Sequence, residues 1–245
     1  MSGKFYCGTS GFSYDHWIGK FYPQDLPRNK WLTYYAKTFN AVEINYTFYH
    51  IPRESTVEKW QHSAPNDFIY SLKASKLITH YDKGKLNSAT YLLWKFLKIS
   101  ELLGEHRGPI LMQFPPSFMD EMALNEFLAR IKPPHRVAME FRNKMFAENE
   151  SVRQKLAMHN VAFCVCSSPR MPAMFSITAD FTYIRFHGAK RMYYSSYSEK
   201  ELRPFAKFAK QQLKQGIDVF AFFNNDAQGH AVDNALTFMD IVTTK

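Results

Sequence analysis

Short apolar runs recur along the chain, and nearly every one ends in a polar or charged residue. They read FYCGTSG, AVEIN, FIYSLK, PILMQF, RVAMEFR, AFCVCSS, TYIRFHG and VFAFFNN. Each is short, rich in β-branched and aromatic residues, and predicts a strand. Helical apolar spacing lies between them, at residues 30–39, 55–63, 88–104, 120–131, 147–159, 198–215 and 230–242. Strands alternating with helices pair in parallel through crossovers. Near-continuous apolar runs fit strands covered on both faces. An open doubly wound sheet would carry G-x-G-x-x-G or G-x-x-x-x-G-K after its first strand. Gly8-Thr-Ser-Gly11 matches neither. The pattern therefore predicts an α/β fold, a TIM-type (β/α)8 barrel with outer helices, as a single domain over residues 1–245. The weak crossover follows strand six, where residues 168–176 hold two prolines.

A closed barrel gathers the strand endings at its C-terminal mouth, where such folds place their chemistry. Those endings supply Glu43, Asn45, Lys73, Gln113, Glu140, Arg142, Arg185, His187 and Asn224. Glu43 and Glu140 are candidates for acid–base work, with His187 as a third catalytic candidate. The alternative reading pairs each glutamate with an arginine, Glu140 with Arg142 or Arg185, as a positioning contact. Lys73, Arg142, Arg185 and His187 form a cation cluster suited to a phosphate, carboxylate or nucleotide. Gln113, Asn45 and Asn224 add neutral hydrogen-bonding groups. Two long loops, residues 12–29 and 74–87, are candidate lids. The first carries Tyr14 and Trp17, which could stack on a ligand or plug the barrel end.

Composition narrows the class. The net charge is +9, which favours anionic partners. Basic residues crowd residues 183–216, where the bland account is a solvated helix face. Three cysteines, Cys7, Cys164 and Cys166, lie inside strand runs and read as packed thiols. No apolar run is long enough for a membrane span, and the start of the chain lacks a secretory pattern, so the cytoplasm is the expected location. His-x-His and His-Glu-x-x-His spacings are absent, and the cations at the mouth would repel a divalent ion. The expectation is no metal and no cofactor. Ser10 and Ser167 lack a Gly-x-Ser-x-Gly elbow.

Several segments together resemble one family. They are Gly8-Thr-Ser-Gly-Phe-Ser-Tyr with Trp17, Phe21-Tyr22-Pro23, Phe39-Asn-Ala-Val-Glu43-Ile-Asn45, Gln113-Phe-Pro115-Pro116, Glu140-Phe-Arg142, Arg185-Phe-His187-Gly188, and Phe223-Asn224-Asn225 with Gly229-His230-Ala231. In order and over the whole chain, these are similar to the YecE-like proteins, domain of unknown function 72. The resemblance implies a TIM-type barrel and supplies no reaction. Its pattern has His and Trp where this chain has Asn143 and Phe146, and an Asp near Ser167.

The functional expectation is an enzyme, of hydrolase or lyase type without a catalytic metal, acting on an anionic small molecule at the barrel mouth. A nucleic-acid binder or nuclease using the basic surface is the alternative. A non-catalytic binding or scaffold protein is the second alternative.

Overall fold

The computed structural model describes residues 2–82 and 84–244. All eight predicted strands form: β1 Phe5–Thr9, β2 Ala41–Ile44, β3 Ile69–Leu72, β4 Ile110–Phe114, β5 Val137–Phe141, β6 Ala162–Ser167, β7 Phe181–Phe186 and β8 Asp218–Phe223. The helices are α1 Trp31–Tyr35, α2 Tyr46–Tyr49, α3 Glu54–Ser63, α4 Lys76–Thr79, α5 Leu86–Ser100, α6 Glu121–Arg130, α7 Lys144–Glu148, α8 Glu150–Met158, α9 Glu199–Lys214 and α10 His230–Thr243. Six strands make a continuous parallel sheet in the order β1-β8-β7-β6-β5-β4, and β2 pairs with β3. Parallel bridges close the ring at both seams. Ser10 pairs with Glu43 between β1 and β2, and Lys73 pairs with Leu111 between β3 and β4. The fold is the expected TIM-like barrel.

Two layers of side chains fill it. The barrel's inside holds Ala41, Leu111, Ala138, Ala162, Cys164, Phe181, Tyr183, Phe220 and Phe222. Small residues on β2, β5 and β6 make room for the rings of β7 and β8, as close packing demands. The larger apolar layer lies between strands and helices, with Leu93, Phe96, Phe127, Leu156, Leu202 and Phe238 facing inward. Among the described residues, no helix is long and apolar enough to cross a membrane.

Local chemistry explains where the elements depart from the sequence pattern. The predicted helix over 147–159 is two helices, because Asn149 ends α7 and caps α8, its side chain accepting from Ser151 N at 2.9 Å. Asn143 caps α7 in the same way, accepting from Phe146 N at 3.0 Å. The 30–39 helix shortens to α1 with a 3-10 turn at Arg28–Lys30 before it. The predicted 88–104 helix turns 3-10 at Glu101–His106, where Gly104 is non-helical. The crossover from β6 to β7 has no helix. Residues 12–29 form the packed end-cover: Trp17 stacks among Tyr14, Phe21, Tyr22 and Tyr35.

Gly8 sets the β1–β2 seam. A Cβ there would sit 1.9 Å from the Ala41 carbonyl oxygen and 2.6 Å from the Tyr35 hydroxyl. Both neighbours are fixed, since Tyr35 Oη receives Thr9 N at 2.8 Å and donates to Ala41 O at 3.1 Å. Gly8→Ala should therefore destabilise the fold by about 2 kcal/mol or more in urea unfolding, through forced separation of the strands. An unchanged midpoint would show that the seam is loose.

Candidate functional site

Arg185 on β7 stands at the centre of the mouth and is 0% exposed, as are Glu43 and Glu140. Strand alternation explains its direction: Tyr183 and Arg185 share the inner face of β7. Its guanidinium grips Glu43 on β2 with two hydrogen bonds, Nε to Oε2 at 2.9 Å and Nη2 to Oε1 at 2.7 Å. Nη1 donates to Glu140 Oε2 on β5 at 2.5 Å. Glu43 also accepts from Ser10 Oγ at 2.7 Å and from the Tyr183 hydroxyl at 2.8 Å. The second oxygen of Glu140 is paired with Arg142. Burial pushes both carboxyl groups up, but Arg185 outweighs it, so Glu43 lies below and Glu140 well below the ordinary glutamate value. Both are ionised and paired with arginine.

His187, also 0% exposed, lies above this network. Its Nε2 is 3.1 Å from Arg142 Nη2 and 3.4 Å from Arg185 Nη1, against 3.5 Å from Glu140 Oε1. The Asn224 amide nitrogen lies 3.3 Å from Nδ1. Burial lowers the His187 pKa to about 4, so the ring is neutral at pH 7.

Counted as charges, the network is balanced: two glutamates, two arginines, one neutral histidine. Lys73, at the end of β3, enters this setting as a surplus cation. It is 9% exposed, and among the described residues no carboxylate lies within ion-pair distance of it. Its ammonium rests over the ring of Phe48, 4.1 Å from the centroid. Burial, and then Arg185, lower its pKa to about 8.

Lys73 opens into a cavity of about 400 Å3 lined by Tyr14, His16, Asn45, Phe48, Tyr193, Asn224 and Asp226, among others. His16 and Asp226 form a dyad on its wall, Nε2 to Oδ2 at 2.8 Å. The Trp17 indole also donates to Asp226, at 3.0 Å. Burial raises the Asp226 pKa. Asn45 Oδ1 is buried with no hydrogen-bond partner among the described residues. A second cavity of about 460 Å3 adjoins, lined by Gln113, Arg142, Lys144, Ser168, Arg170 and Met192, and Tyr193 borders both. Tyr193 stands edge-on to His187 at 5.6 Å with φ at 63°, a left-handed conformation rare for a tyrosine.

The sequence candidates thus divide. Lys73, Asn45, Asn224 and Tyr14 line the first cavity, and Gln113 and Arg142 the second. Glu43, Glu140, Arg185 and His187 line neither and lie beneath. The expected acid–base pair of glutamates is a buried counter-ion pair for Arg185, the alternative that pairing with arginine offered. Arg185 and His187 are not open cations: the one is spent on carboxylates, the other is neutral. Trp17 is 1% exposed within the aromatic end-cover, so it holds Asp226 and does not stack on a ligand. His16, as Asp226's partner, and Tyr193 were not among the candidates. Glu140, Cys164 and Cys166 bring three ligand-type atoms within 4.8 Å of one another, but Arg185 and Arg142 already occupy the carboxylate.

With this geometry in view, comparison with known proteins is informative. The family model described as "Protein of unknown function DUF72" matches residues 6–245. The chain belongs to the DUF72 family. The UPF0759 protein YunF of Bacillus subtilis is 26% identical over 97% of this chain and 94% of its own length. The UPF0759 protein YecE of Escherichia coli K12 is 25% identical over 64% of this chain and 67% of its own. A DUF72 family protein from Thermotoga maritima superposes with a TM-score of 0.81 at 27% identity, covering 98% of this chain and 100% of that one. One from Enterococcus faecalis reaches 0.82 at 20% identity over 98% and 96%, a likeness of fold alone. Asn143, Phe146 and Ser167 each have local work. Asn143 caps α7 and donates to Pro116 O at 2.7 Å. Phe146 packs on Phe118 and Phe141. Ser167 accepts from the Tyr197 hydroxyl at 2.9 Å.

Two variants should move stability in opposite directions. Arg185→Met strands two buried carboxylates and should cost about 3–5 kcal/mol. Lys73→Met removes a surplus buried cation and should stabilise by about 1–3 kcal/mol at pH 7. The sign follows from a folded-state pKa of about 8 below the unfolded 10.5: wild type regains that stability as pH rises from about 8 to 10.5. The gap between wild type and Lys73→Met should shrink over that window in denaturant titrations. A destabilised Lys73→Met would mean that Lys73 has a native partner.

Proposed function

We propose that this DUF72 protein is an enzyme acting on a small anionic molecule bound across the two adjoining mouth cavities. The observation that carries this reading is Lys73, a buried cation without a carboxylate, opening into a cavity whose wall bears the His16–Asp226 dyad. A buried unpaired lysine lowers stability, and such costs concentrate at functional sites. In this reading His16 moves protons, oriented by Asp226 as a carboxylate orients a catalytic imidazole. Because Nε2 faces Asp226, Nδ1 is the atom left for substrate. Asn224 and the unpartnered Asn45 Oδ1 would orient substrate polar groups. The buried Glu43–Arg185–Glu140 network keeps the strand ends in register and supplies no proton itself.

The anionic end belongs in the second cavity. Arg142, Lys144 and Arg170 line it, and Lys144 lies 3.8 Å from Glu148 while Arg170 makes no ion pair among the described residues. Among these Arg142 is tied to Glu140, whereas Arg170 is exposed. Such a wall suits a carboxylate or phosphate. Lys200, Lys207 and Lys214 repeat at seven-residue intervals along one stripe of α9, which starts at the mouth and runs down the outside of the barrel.

A thermal-shift screen of phosphorylated and carboxylated metabolites should yield a ligand, since selective binding to the folded state raises its melting point. For that ligand, Arg170→Ala should weaken affinity about tenfold by calorimetry, with a shallower salt dependence. Steep salt-dependent binding of single-stranded nucleic acid, with no small-molecule stabilisation, would favour the polymer reading instead.

A further inference from the structure

We infer that Lys73 is a covalent nucleophile, whose amine condenses with a carbonyl carbon of the substrate to form an iminium. This deepens the proposed function and rests on its cavity; it narrows the substrate to a small anionic aldehyde or ketone, a 2-oxo acid or a phosphorylated sugar being the fitting classes. Four observations converge. Lys73 is buried, unpaired and at the floor of the first cavity. Its backbone is held: Thr47 Oγ1 donates to Lys73 O at 2.6 Å, and Lys73 N donates to Ile44 O at 3.1 Å. The amine is thus placed by the strand and not by a flexible loop. Phe48 covers one side and keeps water off it. Asn224 and the His16–Asp226 dyad share the cavity, offering hydrogen bonds and a proton carrier for the carbonyl oxygen.

The amine also has usable nucleophilicity. With a pKa of about 8, roughly one Lys73 in ten is neutral at pH 7, against about one in 2,500 for an ordinary lysine. Burial is the main cause, with Arg185 adding to it and Glu140 and Glu43 only partly offsetting it.

The step balances without a co-reactant. The Lys73 ammonium first passes a proton to His16. The freed Nζ lone pair forms a bond to the carbonyl carbon as the C=O π pair moves to oxygen, which takes that proton from His16. The carbinolamine nitrogen then gives a proton to His16, and His16 passes it to the hydroxyl, which leaves as water as the C=N⁺ bond forms. Overall, lysine ammonium and carbonyl give protonated imine and one water. The iminium then accepts an electron pair from a neighbouring carbon, the chemistry of bond cleavage or formation α,β to a carbonyl.

Reductive trapping tests this on the intact protein. Formaldehyde with cyanoborohydride at pH 7 is the first probe, small enough to enter whatever shape the cavity prefers; pyruvate is the second. Site-resolved mass spectrometry should show Lys73 alkylated at least ten times faster than exposed Lys200, Lys207 and Lys214, with the excess absent in Lys73→Arg. Folding of that variant is checked by its melting point. Lys73 labelled no faster than the exposed lysines overturns the iminium. Anionic ligands that still raise the melting point in that case would leave the binding cavity standing, so the two readings fail separately.

Discussion

A single guanidinium, Arg185, ties together strands from opposite sides of the barrel. Glu43 comes from β2 and Glu140 from β5, and both accept hydrogen bonds from the same side chain. Ions this deeply buried are tolerable only when their hydrogen-bonding groups are matched. The matching reaches outward through Ser10, Tyr183, Arg142 and His187. The β1–β2 seam carries the Ser10–Glu43 bridge in place of a full ladder, and Ser10 Oγ donates to the same carboxylate.

Charge balance in that network determines the character of the mouth. Because two carboxylates meet two guanidinia and His187 is neutral, nothing remains to compensate Lys73. The consequence is an amine that is costly in the folded state and reactive for the same reason. In the proposed function stability and activity are opposed at this residue, a common trade-off where a site must keep a destabilised group. Tyr193, held in a left-handed backbone conformation between the two cavities, is a second strained position at the same place.

Much of the barrel could be read from the chain, because period-two and period-3.6 apolar patterns report local geometry directly. The polar strand endings also marked the mouth. What the pattern lacked was depth: Lys73, Arg142, Arg185 and His187 look alike as cations along a sequence, and only burial and partners separate a counter-ion from a free amine. The His16–Asp226 pair joins residues 210 positions apart in chain order, and no local spacing signals it. Phe48 reaches Lys73 from α2, a four-residue helix too short to produce a periodic pattern. The break at Asn149 was signalled, since asparagine is a favoured helix cap, yet the apolar spacing ran on through it.

The central claim is that the mouth's buried charges cancel and leave Lys73 uncompensated. Its most direct test is an NMR titration of the lysine side chains, with the Lys73 signal assigned by its loss in Lys73→Arg. The account predicts that this one amine titrates near pH 8, below the ordinary lysine value of about 10.4. A Lys73 value at or above 10 would contradict it, because it would require a carboxylate still free to pair with that ammonium.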